Sequence, residues 1–210
     1  MFEIGFVTVI VFLLIMLGEF IAFRNPGYPE LNRKFVHITV GSFVAFWPLI
    51  LTWNQIIFLS AAFVLVISIS KTFNIFKSIH GVKRATWGEV YFGLVVGLLA
   101  LVTQDGWIYM TALLHMSLAD GLAAVIGMRF GKKNRYSVLG SLKSLVGTMT
   151  FFVISLVLLA VYNLSPDVHV PMLALIGLAA SATALENFGM RGIDNLTVPV
   201  LIAVTLSVLS

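Results

Sequence analysis

Apolar runs alternate with short polar stretches along almost the whole chain, falling near residues 2–23, 35–51, 54–70, 88–104, 107–128, 146–164, 168–186 and 196–210. A helix of about 20 apolar residues crosses a hydrocarbon core of about 30 Å. The pattern therefore predicts an all-α fold, a polytopic bundle of about eight transmembrane helices. The last run is short, which leaves seven as the alternative count. The loops carry ordinary turn punctuation, such as Asn25-Pro26-Gly27 and Ser165-Pro166, and no internal repeat is visible. No stretch is left over for a soluble unit, so residues 1–210 read as a single integral membrane domain.

Composition agrees: 60% of residues are hydrophobic and 10% charged, against about 25% charged in soluble domains. The absence of cysteine excludes disulfides, thiolate metal sites and cysteine nucleophiles. Met1 to Phe20 has Glu3 where a signal peptide carries a basic segment and has no small-residue cleavage site, so it is expected to remain as the first span. All thirteen Lys and Arg residues fall in odd-numbered loops. Arg24, Arg33 and Lys34 lie in the first loop and Lys71, Lys77, Lys83 and Arg84 in the third; Arg129, Lys132, Lys133, Arg135 and Lys143 lie in the fifth and Arg191 in the seventh. Since short cytoplasmic loops retain basic residues, the amino terminus is expected outside, the protein multi-pass in the cell membrane, and any active site on the cytoplasmic face. The net charge of +4 has no soluble basic surface behind it. Lipid headgroups and nucleotide phosphates suit it as counterparts; nucleic acid does not.

The acidic residues Glu19, Glu30, Glu89, Asp120, Glu186 and Asp194 all fall at or near the cytoplasmic ends of spans. Asp120 lies deepest, and a carboxylate at depth costs about 2.5–3.5 kcal/mol on insertion scales. Such a charge is retained for a site, or else as a structural partner for His115, Lys143 or a backbone group. Ala119, Ala123, Gly127 and Gly131 recur every four residues, a stripe that lets helices pack closely or lets backbone approach a phosphate. The loop from Gly131-Lys132-Lys133 to Lys143-Ser144 offers cations and hydroxyls of the kind that neutralise phosphates, though basic loops also simply fix topology. Arg33, Lys34 and His37 share one helical face that suits either an anion or snorkelling to lipid. Glu186, Asp194 and Asn195 flank the last loop as metal ligands or as a helix cap. His80, His115 and His169 lack partners at ligand spacing.

In order along the chain, Arg33-Lys34-Phe35-Val36-His37, Ala119-Asp120-Gly121 with Gly127 and Gly131-Lys132, Lys143-Ser144-Leu145-Val146-Gly147-Thr148, and Glu186 with Asp194-Asn195-Leu196-Thr197-Val198-Pro199 form a set that resembles the family of dolichol kinases, phytol kinases and CTP-dependent diacylglycerol kinases. The resemblance implies transfer of the γ-phosphoryl group of a nucleoside triphosphate, typically CTP, to a membrane lipid alcohol, with a divalent cation such as Mg2+. It implies Asp120, Lys143, Arg33 and Lys34 as catalytic residues and Lys132, Lys133, Ser144, Gly127 and Gly131 on the nucleotide. Asp120, Asp194, Asn195 and Glu186 would hold the metal, with His37 and Glu89 as further candidates. Two other readings compete. A cytidylyltransferase of the CDP-diacylglycerol synthase type would need two metals on a fuller acidic cluster. A transporter would use Asp120 and His115 as an ion path, but the inverted repeats and broken helices expected of one are not seen.

The loop assignment has a direct consequence in a chain free of cysteine. A single cysteine at Gln104 should react with an impermeant thiol reagent from outside the cell, and one at Asn134 should not. The reverse labelling would overturn the cytoplasmic placement of every candidate residue.

Overall fold

A computed structural model describes residues 2–73, 87–165 and 168–209. Lys77, His80, Lys83, Arg84, Pro166 and Asp167 lie outside the described residues, as does the side chain of Lys71. Among the described residues there are eight helices: α1 (Phe2–Arg24) and α2 (Pro29–Ala45); α3 (Trp53–Phe73) and α4 (Gly88–Val102); α5 (Gly106–Phe130); α6 (Leu145–Tyr162), α7 (Met172–Phe188) and α8 (Asp194–Leu209). Each apolar run becomes one helix. Four of them, α1, α3, α5 and α6, are long and apolar enough to cross a membrane, while α4, α7 and α8 are shorter apolar helices. Large apolar side chains such as Phe2, Phe12, Leu65, Leu101 and Leu173 point outward, an arrangement that suits a surrounding of lipid.

Boundaries shift where proline decides them. The second span was expected to begin at residue 35, leaving Arg33 and Lys34 in a loop. Instead Pro29 starts α2 in its first turn, where its missing N–H costs nothing, and Arg33 and Lys34 become buried helix residues. At the other end, α2 stops at Ala45 and a short 3-10 turn carries Trp47–Leu49. Residues 168–170 are not helical; the Val170 N–H donates to the Asn163 side chain at 2.8 Å, and Pro171 caps α7.

Helix α5 is the hub. It packs against α2, α6 and α8, and 67% of its spanning window is buried against 17–22% for α1, α3 and α6. Midway it opens into one π turn, His115–Ala119. A π turn inserts a residue and rotates the rest of the helix about its axis, and here Asp120 is the first residue beyond it. A Cβ at Gly121 would fall 2.2 Å from Ile38 Cγ1, so glycine there permits α2 to lie hard against α5. The small-residue stripe packs in the same way against α6, with a Cβ at Gly127 falling 3.2 Å from Gly147 Cα.

Between α5 and α6 the chain forms a hairpin that the all-α expectation did not contain. Its strands β1 (Arg135–Val138) and β2 (Ser141–Ser144) are antiparallel, with Val138 opposite Ser141. Leu139 and Gly140 both have positive φ, at 48° and 79°, as a tight two-residue hairpin turn requires. Tyr136 ties the hairpin to the bundle: its hydroxyl donates to Asn187 Oδ1 on α7 at 2.7 Å and also meets Thr148 Oγ1 on α6.

Candidate active site

Where the hairpin folds over the ends of α2, α5, α7 and α8, a polar cavity of about 250 Å³ opens. Its walls bring together Arg33, Lys34, Asp120, Lys143, Glu186 and Asp194, the first and last of which are 161 positions apart in the sequence. Asp120 is buried, and the Lys34 Nζ donates to its Oδ2 at 2.5 Å. His37 Nε2 lies 3.4 Å from the same oxygen and 2.9 Å from the Met116 carbonyl. Neither His115 nor Lys143 is the partner of Asp120. His115 Nδ1 instead lies 2.8 Å from the Thr111 carbonyl.

Lys143 stands on β2 and donates both to Glu186 Oε1, at 2.5 Å, and to the Glu186 carbonyl, at 2.9 Å. Burial alone would favour the neutral amine; the Glu186 carboxylate outweighs it and holds the Lys143 pKa above the ordinary lysine range. Arg33, also buried, is steadied by Glu30, with Nε 3.1 Å from the carboxylate.

Asp120, Glu186 and Asp194 each present one carboxylate oxygen such that the three lie within 4.8 Å of one another. Two of these carboxylates are answered by lysines. Asp194 has no ion pair among the described residues, and its buried Oδ1 has no hydrogen-bond partner there. Three converging carboxylates with an orphaned oxygen make a donor set that fits a hard divalent cation such as Mg2+. Asn195, expected as a metal ligand, gives its amide to the Gly88 carbonyl at 2.9 Å and so ties α8 to α4.

The nucleotide candidates divide. Ser144 and Gly127 line the cavity, but the Ser144 hydroxyl is also the N-cap of α6, accepting from the Gly147 N–H at 3.1 Å. Gly131, Lys132 and Lys133 do not line it, and both lysines are exposed. In their place the structure brings Arg135, Ser141, Thr148 and Arg191 to the wall. Arg135 and Ser141 belong to the loop noted for its cations and hydroxyls and Thr148 to the Lys143–Thr148 motif, but none was singled out as a site residue, and Arg191 had been read only as a loop charge. Glu89 and His37 line a second, smaller cavity that shares Arg33 and Asn195 with the first.

Over 182 residues the chain is 36% identical to the phytol kinase of Synechocystis sp. (strain ATCC 27184 / PCC 6803 / Kazusa), a match covering 81% of this chain and 75% of that protein. The chain belongs to the polyprenol and phytol kinase family. As a member of this kinase family it is a phosphotransferase with an alcohol acceptor. No family model matches the chain, and no solved structure matches it.

The Lys34–Asp120 pair sets an expectation for stability. Asp120→Asn leaves a buried ammonium without its counter-charge, and losing one partner of a buried pair costs about 3–5 kcal/mol. Thermal melting in detergent should therefore show a clear loss for Asp120→Asn, and the double variant Lys34→Met/Asp120→Asn should recover much of it. An Asp120→Asn protein that melts with the parent would mean that the pair contributes nothing to the fold.

Proposed function

We propose that the protein is a CTP-dependent lipid kinase that passes the γ-phosphoryl group to a membrane-embedded alcohol, a polyprenol, phytol or diacylglycerol, at the cytoplasmic face of the bilayer. The observation that carries this reading is the convergence of three carboxylates with Lys34, Lys143, Arg33 and Arg135 in one cavity. On this reading all eight helices span the membrane as one domain, with the amino terminus outside and the cavity in the cytoplasmic leaflet. Two features support the sidedness. The cavity collects basic residues only from the odd-numbered loops, and the hairpin above it belongs to the most basic of them. CTP as donor, and phytol among the acceptors, rest on the family.

Phosphoryl transfer asks a protein mainly for positioning and charge neutralisation, and the residues divide along those lines. Asp120, Glu186 and Asp194 would hold Mg2+, which when bound neutralises phosphate oxygens of the donor. Lys34 pairs with Asp120 and holds it in place. Lys143, fixed by Glu186, offers its remaining N–H to a phosphate oxygen, while Arg33 and Arg135 supply the planar forks that fit phosphate in pairs of hydrogen bonds. Ser141 adds a neutral donor on the same wall, while the Thr148 hydroxyl is committed to Asn187. Lys132 and Lys133, exposed beside the hairpin, suit anionic headgroups at the membrane surface.

The carboxylate cluster is fuller than the sequence indicated, and a cytidylyltransferase would also use such a cluster, so the decisive observation is which phosphorus moves. Purified protein is given CTP labelled at the α or the γ phosphorus, with a panel of polyprenols, phytol and diacylglycerol, and ATP in parallel. The expected result is lipid carrying γ label, with CDP released. Lipid carrying α label, with pyrophosphate released, would end the kinase assignment.

A further inference from the structure

We propose that the second cavity seats the head of the acceptor alcohol and that Glu89 takes the hydroxyl proton during transfer, an inference that rests on the kinase reading above. The cavity, about 50 Å³, lies between α2, α3 and α4 and is walled by Val36, Val40, Phe63, Ile67 and Phe92. That is room for the hydroxyl end of a chain, not for a long tail. The outward faces of α3 and α4, with Leu65, Ile69, Leu94 and Leu98 exposed, leave the tail to lie in lipid.

Glu89 is the anomaly in this apolar pocket. Both of its carboxylate oxygens are buried, and neither has a hydrogen-bond partner among the described residues. A buried acceptor left unsatisfied is costly, whereas an alcohol O–H entering the pocket supplies the missing donor. His37 shares the pocket with one ring nitrogen committed. Its Nε2 faces the Met116 carbonyl at 2.9 Å, and a carbonyl only accepts, so that nitrogen carries the hydrogen and only Nδ1 is left as an acceptor.

The backbone registers Glu89 against the metal-binding corner. The Trp87 N–H donates to the Arg191 carbonyl at 3.0 Å, and Asn195 Nδ2 donates to the Gly88 carbonyl at 2.9 Å. The two residues before Glu89 are thus held to the turn that presents Asp194. Arg33 and Asn195 belong to the walls of both cavities, so a hydroxyl in the second stands at the edge of the phosphate-facing first. In the transfer, the hydroxyl oxygen bonds to the γ-phosphorus as the bond from that phosphorus to the β,γ-bridging oxygen breaks. The electron pair leaves with the nucleoside diphosphate, and the hydroxyl proton passes to Glu89 and then to water.

A larger apolar cavity between α1, α2 and α5, lined by Ile21, Phe35, Ile38 and Val125 among others, is the rival seat. It holds no titratable side chain besides Tyr28 and shares no residue with the first cavity. The test uses the parent protein and a long-chain isoprenoid alcohol carrying a diazirine beside its hydroxyl. Label should fall on Phe63 and Phe92 and be displaced by unmodified alcohol but not by phospholipid. In parallel, Glu89→Gln should lower transfer to the alcohol by roughly 100-fold or more, as expected for loss of a general base, with nucleotide affinity unchanged. Label on Ile21 and Phe35, displacement by phospholipid, or parental turnover in Glu89→Gln would each overturn the proposal. Should Glu89→Gln not fold, the labelling of the parent still decides. A parent that phosphorylates no alcohol would instead remove the kinase reading on which the proposal stands.

Discussion

The ion pair between Lys34 and Asp120 is the constraint around which this molecule is organised. Asp120 sits on the most buried helix, directly after a π turn, where an unanswered carboxylate would cost several kcal/mol. Its answer comes from α2, 86 residues earlier in the chain. For the two to meet, α2 must lie close against α5, which the missing side chain at Gly121 allows. Once α2 is fixed there, Arg33 and His37 are fixed with it, and both cavities acquire their shared wall. A pair of this kind adds little net stability beyond what a hydrophobic replacement would give. Its retention is better understood as the means of keeping a charged carboxylate at a defined place inside an apolar bundle.

The second pair, Lys143 with Glu186, repeats the device from the opposite side. A hairpin lysine anchors a buried glutamate near the end of α7, and Tyr136 holds the hairpin down through Asn187 and Thr148. The consequence is asymmetric. Three carboxylates meet, two are neutralised by protein cations, and Asp194 is left with an oxygen that nothing among the described residues satisfies. That orphaned oxygen lies in a cavity also lined by Arg33, Arg135 and Arg191, an environment that would suit a divalent cation together with phosphate groups.

Much of the helical plan could be read in advance because apolar length and basic loops are local signals. Each of the eight hydrophobic runs became a helix, and Asp120 stood out because a charge within an apolar run is rare. What could not be read depends on contacts across the chain. The four-residue strands of the hairpin are too short to show a period, so Lys143 and Arg135 had no assigned direction, and the Gly131-Lys132 motif drew the assignment to Lys132 and Lys133 and away from Arg135. Asp120 was read as a site residue or else as a partner for His115, Lys143 or a backbone group, because sequence spacing says nothing about Lys34 of α2 reaching it. Asn195 was grouped with its acidic neighbour, and nothing local showed that its Nδ2 also meets the Gly88 carbonyl. Glu89 was a further candidate only, an acid at a span end; the packing of α2, α3 and α4 around it shows a carboxylate with no donor among the described residues.

The most direct measurement is cation binding at the three-carboxylate cluster, followed by the electron paramagnetic resonance of Mn2+ in the presence of nucleotide. Asp194 is the residue to change, because it has no ion pair among the described residues and its neutralisation strands no lysine. Asp194→Asn should weaken Mn2+ binding by roughly tenfold or more, about 1.4 kcal/mol, while melting with the parent. Mn2+ bound equally well by parent and Asp194→Asn would contradict a metal site built from Asp120, Glu186 and Asp194.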